Sequence, residues 1–266
     1  EVENIPNSVV TDLVNRRRTT VLSILPYGRH FSNGAQLQTD WLISKTNFLI
    51  AGVDVWQRNL DSRRQRNIKI ETFDSTWTNV LTTTNRTFGE HPLPEAKYRS
   101  IGAFTQIESK LFEDKLSLTI GGRFDQINIK SNDVFNPVYI ITNGVRSDNP
   151  PDSLIYAASD ENNNSWGGNI GLIYFIDNNF NVSFTAAHSF RSPSPEERFQ
   201  FIDQGNIVRF GNPELEPETG NFFDLGFRVY EDNFSFKLCV FLNLMKNLVT
   251  DVPGFYETRR ATYKSN

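Results

Sequence analysis

The sequence predicts an all-β fold, specifically a partial antiparallel up-and-down transmembrane β-barrel with about nine or ten strands of a larger barrel. Three observations predict it. Apolar and polar residues alternate with a period of two, aromatic residues make up 13% of the chain with 22 phenylalanines, and short and long connections alternate. A period of two is typical of strands with one apolar and one polar face, and aromatic residues favour strands.

The alternation is clearest at residues 179–190, where Phe180, Val182 and Phe184 share a face and Asn181 and Ser183 lie opposite. The same pattern predicts strands at 35–43, 47–58, 99–107, 115–125, 169–176, 222–230 and 234–244. Weaker patterns predict further strands at 18–25 and 256–264.

The lengths of the connections indicate where the strands lie. Residues 44–46, 111–114, 177–179 and 231–233 form short links, whereas residues 59–97, 130–165 and 191–220 form long ones. Alternate links of an antiparallel meander lie at the same end, so one end carries tight turns and the other carries long loops. Outer-membrane barrels have this arrangement, with the long loops outside, whereas a soluble β-sandwich does not need it. We therefore expect the apolar faces to meet lipid and the polar faces to line a lumen.

Composition excludes several classes of function. Lys and Arg total 27 against 31 Asp and Glu, so the chain lacks the basic excess that nucleic acid binding requires. Cys239 is the only cysteine, which excludes an intrachain disulfide. No run of about 18 apolar residues predicts a membrane-spanning helix. The sequence lacks GxSxG, SxxK and P-loop patterns, so we expect no enzymatic activity and no resident cofactor or metal.

Two motifs lie at the beginning and near the end of the third long connection. Phe190-Arg191-Ser192-Pro193 ends one predicted strand, and residues 212–218 (NPELEPE) precede the next, which contains Asp224-Leu225-Gly226. In this order they resemble the C-terminal barrel region of TonB-dependent outer-membrane receptors, as do the segments FLIAGVDVWQRNLDSRR (48–64) and LSLTIGGRFD (116–125). The resemblance assigns motif positions to Phe190, Arg191, Pro193, Asn212, Pro213, Leu215, Pro217 and Glu218.

The motif residues have a structural interpretation. Proline fixes φ and restricts the residue before it, so Pro213 and Pro217 would stiffen the loop. Glu218 could pair with Arg191 or with Arg123 across the rim of the lumen. Bracing of the wall and loop is the favoured interpretation, and direct ligand contact is the alternative.

The resemblance implies an outer-membrane active-transport receptor of a Gram-negative bacterium. Such a receptor binds an iron-siderophore, haem or haem-protein ligand outside and imports the nutrient with TonB energy, transmitted through an N-terminal plug domain. Haem receptors of this family often carry a His between the two motifs, and residues 194–211 contain none. The alternatives are a passive porin or adhesin-like barrel and a soluble all-β carbohydrate-binding protein.

The domain prediction follows from the number of strands. We interpret residues 1–266 as a fragment of one transmembrane β-barrel domain, because the predicted strands are too few for the 22 of the large transporters. On this interpretation the plug domain and the terminal strands are absent from the fragment. Outer-membrane lipid and the TonB complex would be the partners of the whole receptor.

Candidate ligand-binding residues lie in the predicted external loops. They are His91, Trp77, Arg64, Arg198 and Arg209. Trp77 and Phe73, together with Arg63, Arg64 and Arg66, could form an aromatic and basic surface, because guanidinium groups match the oxygens of an anionic siderophore. The alternative is a loop that packs on itself with its charges in solvent. His188 shares the outward face of Phe184, which predicts a place in the interfacial aromatic belt.

Overall fold

Strands dominate the computed structural model of the chain, which describes residues 9–148, 150, 153–204, 207–257 and 259–266. The strands are β1 (Val9–Asp12), β2 (Arg17–Ser44), β3 (Asn47–Phe73), β4 (Val80–Glu90), β5 (Ala96–Leu111), β6 (Leu116–Ser131), β7 (Val134–Phe135), β8 (Tyr139–Thr142), β9 (Val145–Asp148), β10 (Leu154–Tyr156), β11 (Ser159–Phe175), β12 (Phe180–Arg191), β13 (Phe201–Asp203), β14 (Ile207–Phe210), β15 (Glu218–Glu231), β16 (Phe234–Lys246), β17 (Thr250–Tyr256) and β18 (Arg259–Ser265). A short helix, α1, spans Pro195–Phe199. Within the described ranges, no helix has the length and apolar character needed to cross a bilayer.

Eight long strands form one continuous antiparallel wall. In chain order they are β2, β3, β5, β6, β11, β12, β15 and β16, and each pairs with the next. Each of the eight clearest predicted segments lies on one of these strands, and most of the strands extend well beyond the predicted segment towards the long connections. The predicted all-β up-and-down arrangement is therefore confirmed.

The outward face of the wall is apolar over the part of each strand nearest the short turns. In the middle of the wall, Phe184 is 38% exposed and Leu225, its cross-strand neighbour, is 40% exposed. These side chains are not covered by a second sheet in the part of the chain that the structure describes, as they would be in a β-sandwich. A band of this kind suits contact with hydrocarbon, with the alternate polar residues facing the lumen.

Aromatic rings mark the outer end of the apolar band. Trp166 is exposed and stacks on His188 with ring centroids 4.1 Å apart, and His188 Nδ1 lies 2.9 Å from Asn221 Oδ1. His188 thus takes the outward position that the alternation predicts. Phe190 shares the parity of Phe184 and His188 along β12, so the alternation also predicts an outward position for it. It is instead half-buried against a cluster that contains Phe199, because the chain folds back there into α1.

Tight turns join the wall strands at one end. Asp177 caps the β11–β12 turn by accepting hydrogen bonds from the backbone N–H groups of Asn179 and Phe180, both at 2.8 Å. Phe112 and Glu113 turn the β5–β6 link with φ of 54° and 57°. Side-chain oxygens that satisfy free backbone donors are typical of such turns. The predicted short links therefore all lie at the same end of the wall.

The long connections at the other end contain more strand than predicted. Residues 59–97 do not form an irregular polar connection, because β3 continues to Phe73 and β4 returns along it. The predicted strand 18–25 is likewise the outer half of β2 rather than a separate wall strand. In its outer part β3 carries charged and amide residues on both faces, so the apolar alternation ends although the hydrogen-bonded ladder continues.

A second, small sheet lies among the external segments. Its strand order is β13-β14-β18-β17, with β14 parallel to β18. Phe201, Val208 and Ala261 form its buried core. The predicted strand 256–264 is therefore not part of the wall, because β18 pairs with the loop strand β14 and with β17.

Candidate functional site

The chain turns back over the lumen side of the wall where β12 ends. Ser194 Oγ accepts a hydrogen bond from Glu197 N at 3.3 Å, and the Glu197 carboxylate accepts one from Ser194 N at 2.8 Å. This reciprocal cap and Pro195 at the helix start fix the entry into α1. Phe199 is fully buried and packs in one cluster with Ile129 of β6. The loop is therefore seated on the wall from its first residues.

Arg191 joins the end of β12 to both α1 and β15. Its guanidinium donates to Glu218 at 2.7 and 2.6 Å and to Glu197 at 2.8 and 3.0 Å. The Arg191–Glu218 pair that the sequence predicts is therefore formed. These bonds from Arg191 lower the pKa of Glu218. Burial alone would raise the pKa of Glu197, but Arg191 and the Ser194 N–H lower it overall.

Arg198 secures the second motif to α1. Its guanidinium is buried and donates to the carbonyl oxygens of Pro213 and Leu215, the latter at 2.6 Å. Leu215 is only 2% exposed, and Asn212 Oδ1 accepts a bond from Glu214 N at 2.9 Å. The contacts within 212–215 correspond to bracing of the loop, which is the favoured interpretation of the motif.

Arg123 does not pair with Glu218. It lies lower on the lumen face of β6 and donates to Asp54 at 2.7 and 3.0 Å and to Asp125 at 2.7 and 2.6 Å. Register places Gly102 between Asp54 and Asp125, and a Cβ there would meet the Arg123 guanidinium at 2.2 Å. The glycine therefore leaves the space through which this ion cluster spans three strands.

A cleft of about 410 Å³ opens on the lumen face below α1. Trp56 and Tyr98 form one side of it, with stacked rings whose centroids are 4.9 Å apart. Arg123, Ser189 and Arg191 contribute polar groups to its lining. Trp56 keeps 39% of its surface exposed. The cleft can therefore offer one aromatic face and several hydrogen-bonding groups to a bound molecule, and its volume falls within the range of about 300–1,000 Å³ of small-molecule sites.

A buried ion network holds the other external segments together. Arg64 donates to Glu90 at 2.6 Å and to the Asp203 carbonyl oxygen at 2.8 Å, and Arg66 donates to Glu90 at 3.0 Å. Arg259 reaches the Asp203 carboxylate at 2.8 Å. The network thus connects β3 and β4 to the small sheet. Because Glu90 is only 2% exposed, its pairing with two guanidinium groups offsets the cost of burying its charge.

The structure separates the predicted ligand-binding residues. Arg64 and Arg198 are buried in the contacts described above. The loops therefore pack on themselves, as in the alternative, but these two charges are buried in pairs and hydrogen bonds rather than in solvent. Trp77 stacks on Phe73 at 5.1 Å, and about 3.3 Å of rise per residue puts roughly 23 Å of strand between Phe73 and Arg66. The single aromatic and basic surface expected from these residues is therefore not formed.

The two remaining candidates lie apart from each other. His91 is half-buried between β4 and β5, where burial first and Arg63 second lower its pKa. Its imidazole is therefore mainly neutral near pH 7, which is the form that binds iron. Arg209 is exposed on β14. Contact of either residue with a ligand stays a prediction.

Trp56 and Tyr98 are the site residues that the sequence analysis missed. Both occupy lumen-facing positions, Tyr98 near the start of β5 and Trp56 within β3. They are diagonal neighbours, because Trp56 pairs with Ser100 and Tyr98 pairs with Arg58. The signal was an aromatic residue on the otherwise polar face, which the period-two pattern exposes. Among the described residues, no group of three or more His, Cys, Asp or Glu is placed to hold a metal ion.

The chain is similar to known proteins in sequence pattern and in fold. A family model described as "TonB dependent receptor-like, beta-barrel" matches residues 5–264. No curated protein matches the sequence. The structure titled "Copper transporter OprC" is similar with a TM-score of 0.63 and 13% identity, over 94% of this chain and 37% of that one.

A second similar structure is the Serratia marcescens hemophore receptor HasR, titled as a double mutant in complex with its hemophore HasA and heme. It has a TM-score of 0.53 and 12% identity, over 96% of this chain and 48% of that one. The chain thus spans less than half the length of either protein. At these identities the similarity shows the fold alone.

Proposed function

The chain belongs to the family of TonB-dependent receptor-like β-barrels, and from this membership we propose that it forms part of an outer-membrane receptor for active uptake. In this proposal the wall crosses the outer membrane of a Gram-negative bacterium. Its external segments and lumen mouth bind a scarce nutrient, and the TonB complex supplies the energy for import through the plug domain of the whole receptor.

The observation that carries the proposal is the cleft at the lumen mouth. The Arg191 and Arg198 contacts hold the loop over the wall, and the cleft lies below it on the lumen face. A molecule bound there would face the interior of the barrel rather than the lipid. This position suits a binding site that precedes passage through the barrel.

We propose an iron-siderophore or haem-type nutrient as the cargo. The Trp56–Tyr98 stack offers a flat aromatic face to a porphyrin or a catecholate ring, because offset ring stacking is favourable. The two similar structures are named for copper transport and for a hemophore receptor with heme. Both names refer to a metal-bearing nutrient, which supports the same general class of cargo for this chain. His91, Trp77 and Arg209 are further candidate contacts.

Growth under iron limitation tests the function. The whole receptor, produced in a Gram-negative strain that lacks its own haem and siderophore receptors, should restore growth on haem or on a ferric siderophore. Loss of TonB should abolish this growth. Growth on neither iron source, or uptake that persists without TonB, would overturn the proposal, and the second result would favour a passive porin.

A pair of tryptophan variants tests the cleft itself. Trp56→Ala should weaken cargo binding about tenfold or more, because stacking and apolar contact are lost together. Trp166→Ala changes the same residue type on the outward face, so cargo binding should stay unchanged. Binding to whole cells would be measured with radioiron-labelled cargo. Equal affinity of Trp56→Ala and the parent receptor would exclude the cleft as the site.

A further inference from the structure

The outward face of the wall becomes basic just above the apolar band. On β5 the outward residues that follow Ile101 towards the long connections are Arg99 and Lys97. On β6 the outward residue Phe124 is followed by Gln126, Asn128 and then Lys130. A rise of about 3.4 Å per residue and a strand tilt of about 40° place Lys130 roughly 15 Å above the Phe124 ring. The basic positions therefore lie outside the hydrocarbon but close to it.

A cleft of about 530 Å³ opens on this outward face, across strands β2, β3, β5 and β6. Its charged lining residues are the basic Arg29, Lys97 and Lys130 and the acidic Asp61 and Glu95. Phe31, Asn59 and Asn132 also line it. The wall separates this cleft from the lumen, so cargo bound in the lumen does not reach it. Its occupant must approach from the membrane side or from the space directly above the membrane.

The charges of this cleft are only partly compensated within the chain. Lys130 pairs with Asp160 at 2.5 Å, and Arg63 pairs with Asp61 and Glu95. Lys97 forms no ion pair with any residue that the structure describes. Arg99, one outward position below Lys97 on β5, likewise has no acidic partner in the described ranges.

The strand register gives a second reason to expect a bound anion in this cleft. Lys97 lies directly opposite Lys130 on the neighbouring strand, and like charges at such a cross-strand position are destabilising. An anion between the two ammonium groups would convert this repulsion into two attractive contacts. Side-chain amides of Asn59 and Asn132 could at the same time hydrogen-bond to hydroxyl groups beside the anion.

We infer that this cleft binds the phosphorylated saccharide headgroup of an outer-leaflet glycolipid. Basic residues at a membrane surface attract anionic headgroups. The height of Lys130 favours a glycolipid, because ordinary headgroup layers are only about 5–8 Å thick, whereas a phosphorylated saccharide extends further. Phe31 is 55% exposed at the rim of the cleft, where its ring would pack against a sugar of the headgroup. The inference rests on the outer-membrane location proposed above, but it does not depend on which cargo is transported.

Native mass spectrometry of the whole receptor in detergent tests the inference, with lipopolysaccharide as the probe. The receptor should retain lipopolysaccharide and should retain at least tenfold less of the same preparation after enzymatic dephosphorylation. Inorganic phosphate at equal concentration, or phosphatidylglycerol vesicles, should not displace it. Equal retention of the dephosphorylated form, or displacement by either competitor, would overturn the proposal.

A pair of double variants locates the site. Lys97→Gln with Lys130→Gln should reduce lipopolysaccharide retention at least tenfold, whereas Lys45→Gln with Lys115→Gln removes the same charge at the opposite end of the wall and should have no effect. Heat-modifiable migration on a gel checks that both variants form a barrel. Equal retention by both would overturn the proposal. Cargo uptake is measured separately, so failure of this site and failure of the transport function are distinguishable.

Discussion

Arg191 connects three segments of the chain that are distant in sequence. It stands at the last position of β12, and its guanidinium carries more donors than any other side chain, which allows it to hold two carboxylates at once. Glu218, one of the two, also accepts a hydrogen bond from Val249 N at 2.8 Å. A single residue therefore fixes the loop on one side and the start of β15 on the other.

The lowered pKa of Glu218 predicts a dependence of this connection on pH. A carboxyl group whose pKa is lower in the folded state stabilises that state above its ordinary pKa of about 4.5, and the stabilisation is lost as the pH falls through the lower value. A spin label at the exposed position 214, in a Glu214→Cys, Cys239→Ser receptor, should show constant mobility from about pH 7 to about pH 5 and higher mobility only in stronger acid.

The matched control for this measurement is Glu218→Gln. It removes the titrating carboxylate, so the label should be more mobile already at neutral pH and should respond less to acid. A transition centred above the ordinary carboxyl pKa would contradict the assignment to Glu218.

At the scale of elements, α1 depends on tertiary contacts for its stability. A helix of five residues is too short to be stable alone. Its cap satisfies donors at its N-terminus, and Phe199 and Arg198 secure its C-terminal half in the buried cluster and against the second motif. The stability of α1 and that of residues 212–218 are therefore coupled.

Phe199→Ala tests this coupling. Removing a fully buried phenylalanine should destabilise the external loop by about 3–5 kcal/mol through lost apolar contact and a cavity. Protease cleavage within 191–217 should become much faster, whereas heat-modifiable migration should still report an assembled wall. Phe255→Ala is the control, because Phe255 is 74% exposed and its loss should leave cleavage unchanged. Loss of the assembled barrel together with the loop would show that α1 supports the wall as well.

For the whole molecule, the two faces of the wall meet different surroundings. The outward band is continuous across neighbouring strands, as the pairing of Phe184 with Leu225 and of Leu225 with Val240 shows. The inward face carries glycine, amide and charged residues, including the Arg123 cluster. The apolar side of the band suits contact with lipid, and the polar side suits a water-filled lumen.

Introducing an arginine on one face or the other of the wall tests which face meets lipid. Leu225→Arg on the outward face should destabilise the barrel by about 2–4 kcal/mol if the residue lies near the middle of the bilayer. Asp224→Arg changes the adjacent residue, which faces the lumen, and should cost much less. Urea titration of the receptor in lipid vesicles, followed by gel migration, measures both. Equal destabilisation by the two variants would contradict a lipid-facing band.

The sequence by itself determined the wall. Within the membrane one face of a strand must be apolar and the other polar, so the period-two pattern locates the eight wall strands and assigns inward and outward positions. The outward position of His188 followed from this pattern. The family motifs left Arg191 and Arg123 as alternative partners of Glu218, and the structure has Arg191 in that place. The tight turns could be predicted from the same pattern, because each is a short interruption between two alternating segments.

Only the tertiary structure decided what the external segments do. Residues 59–73 of β3 and the return strand β4 carry polar and charged residues on both faces, so they leave no apolar pattern of period two, although Leu60, Ile68 and Phe73 are buried. The partners of Arg64 and Arg198 lie 26, 139, 15 and 17 residues away in sequence, and nothing local distinguishes a buried guanidinium from a solvated one. The Trp56–Tyr98 cleft and the outward Lys97–Lys130 pair likewise exist only because register aligns residues of neighbouring strands, which depends on the whole sheet.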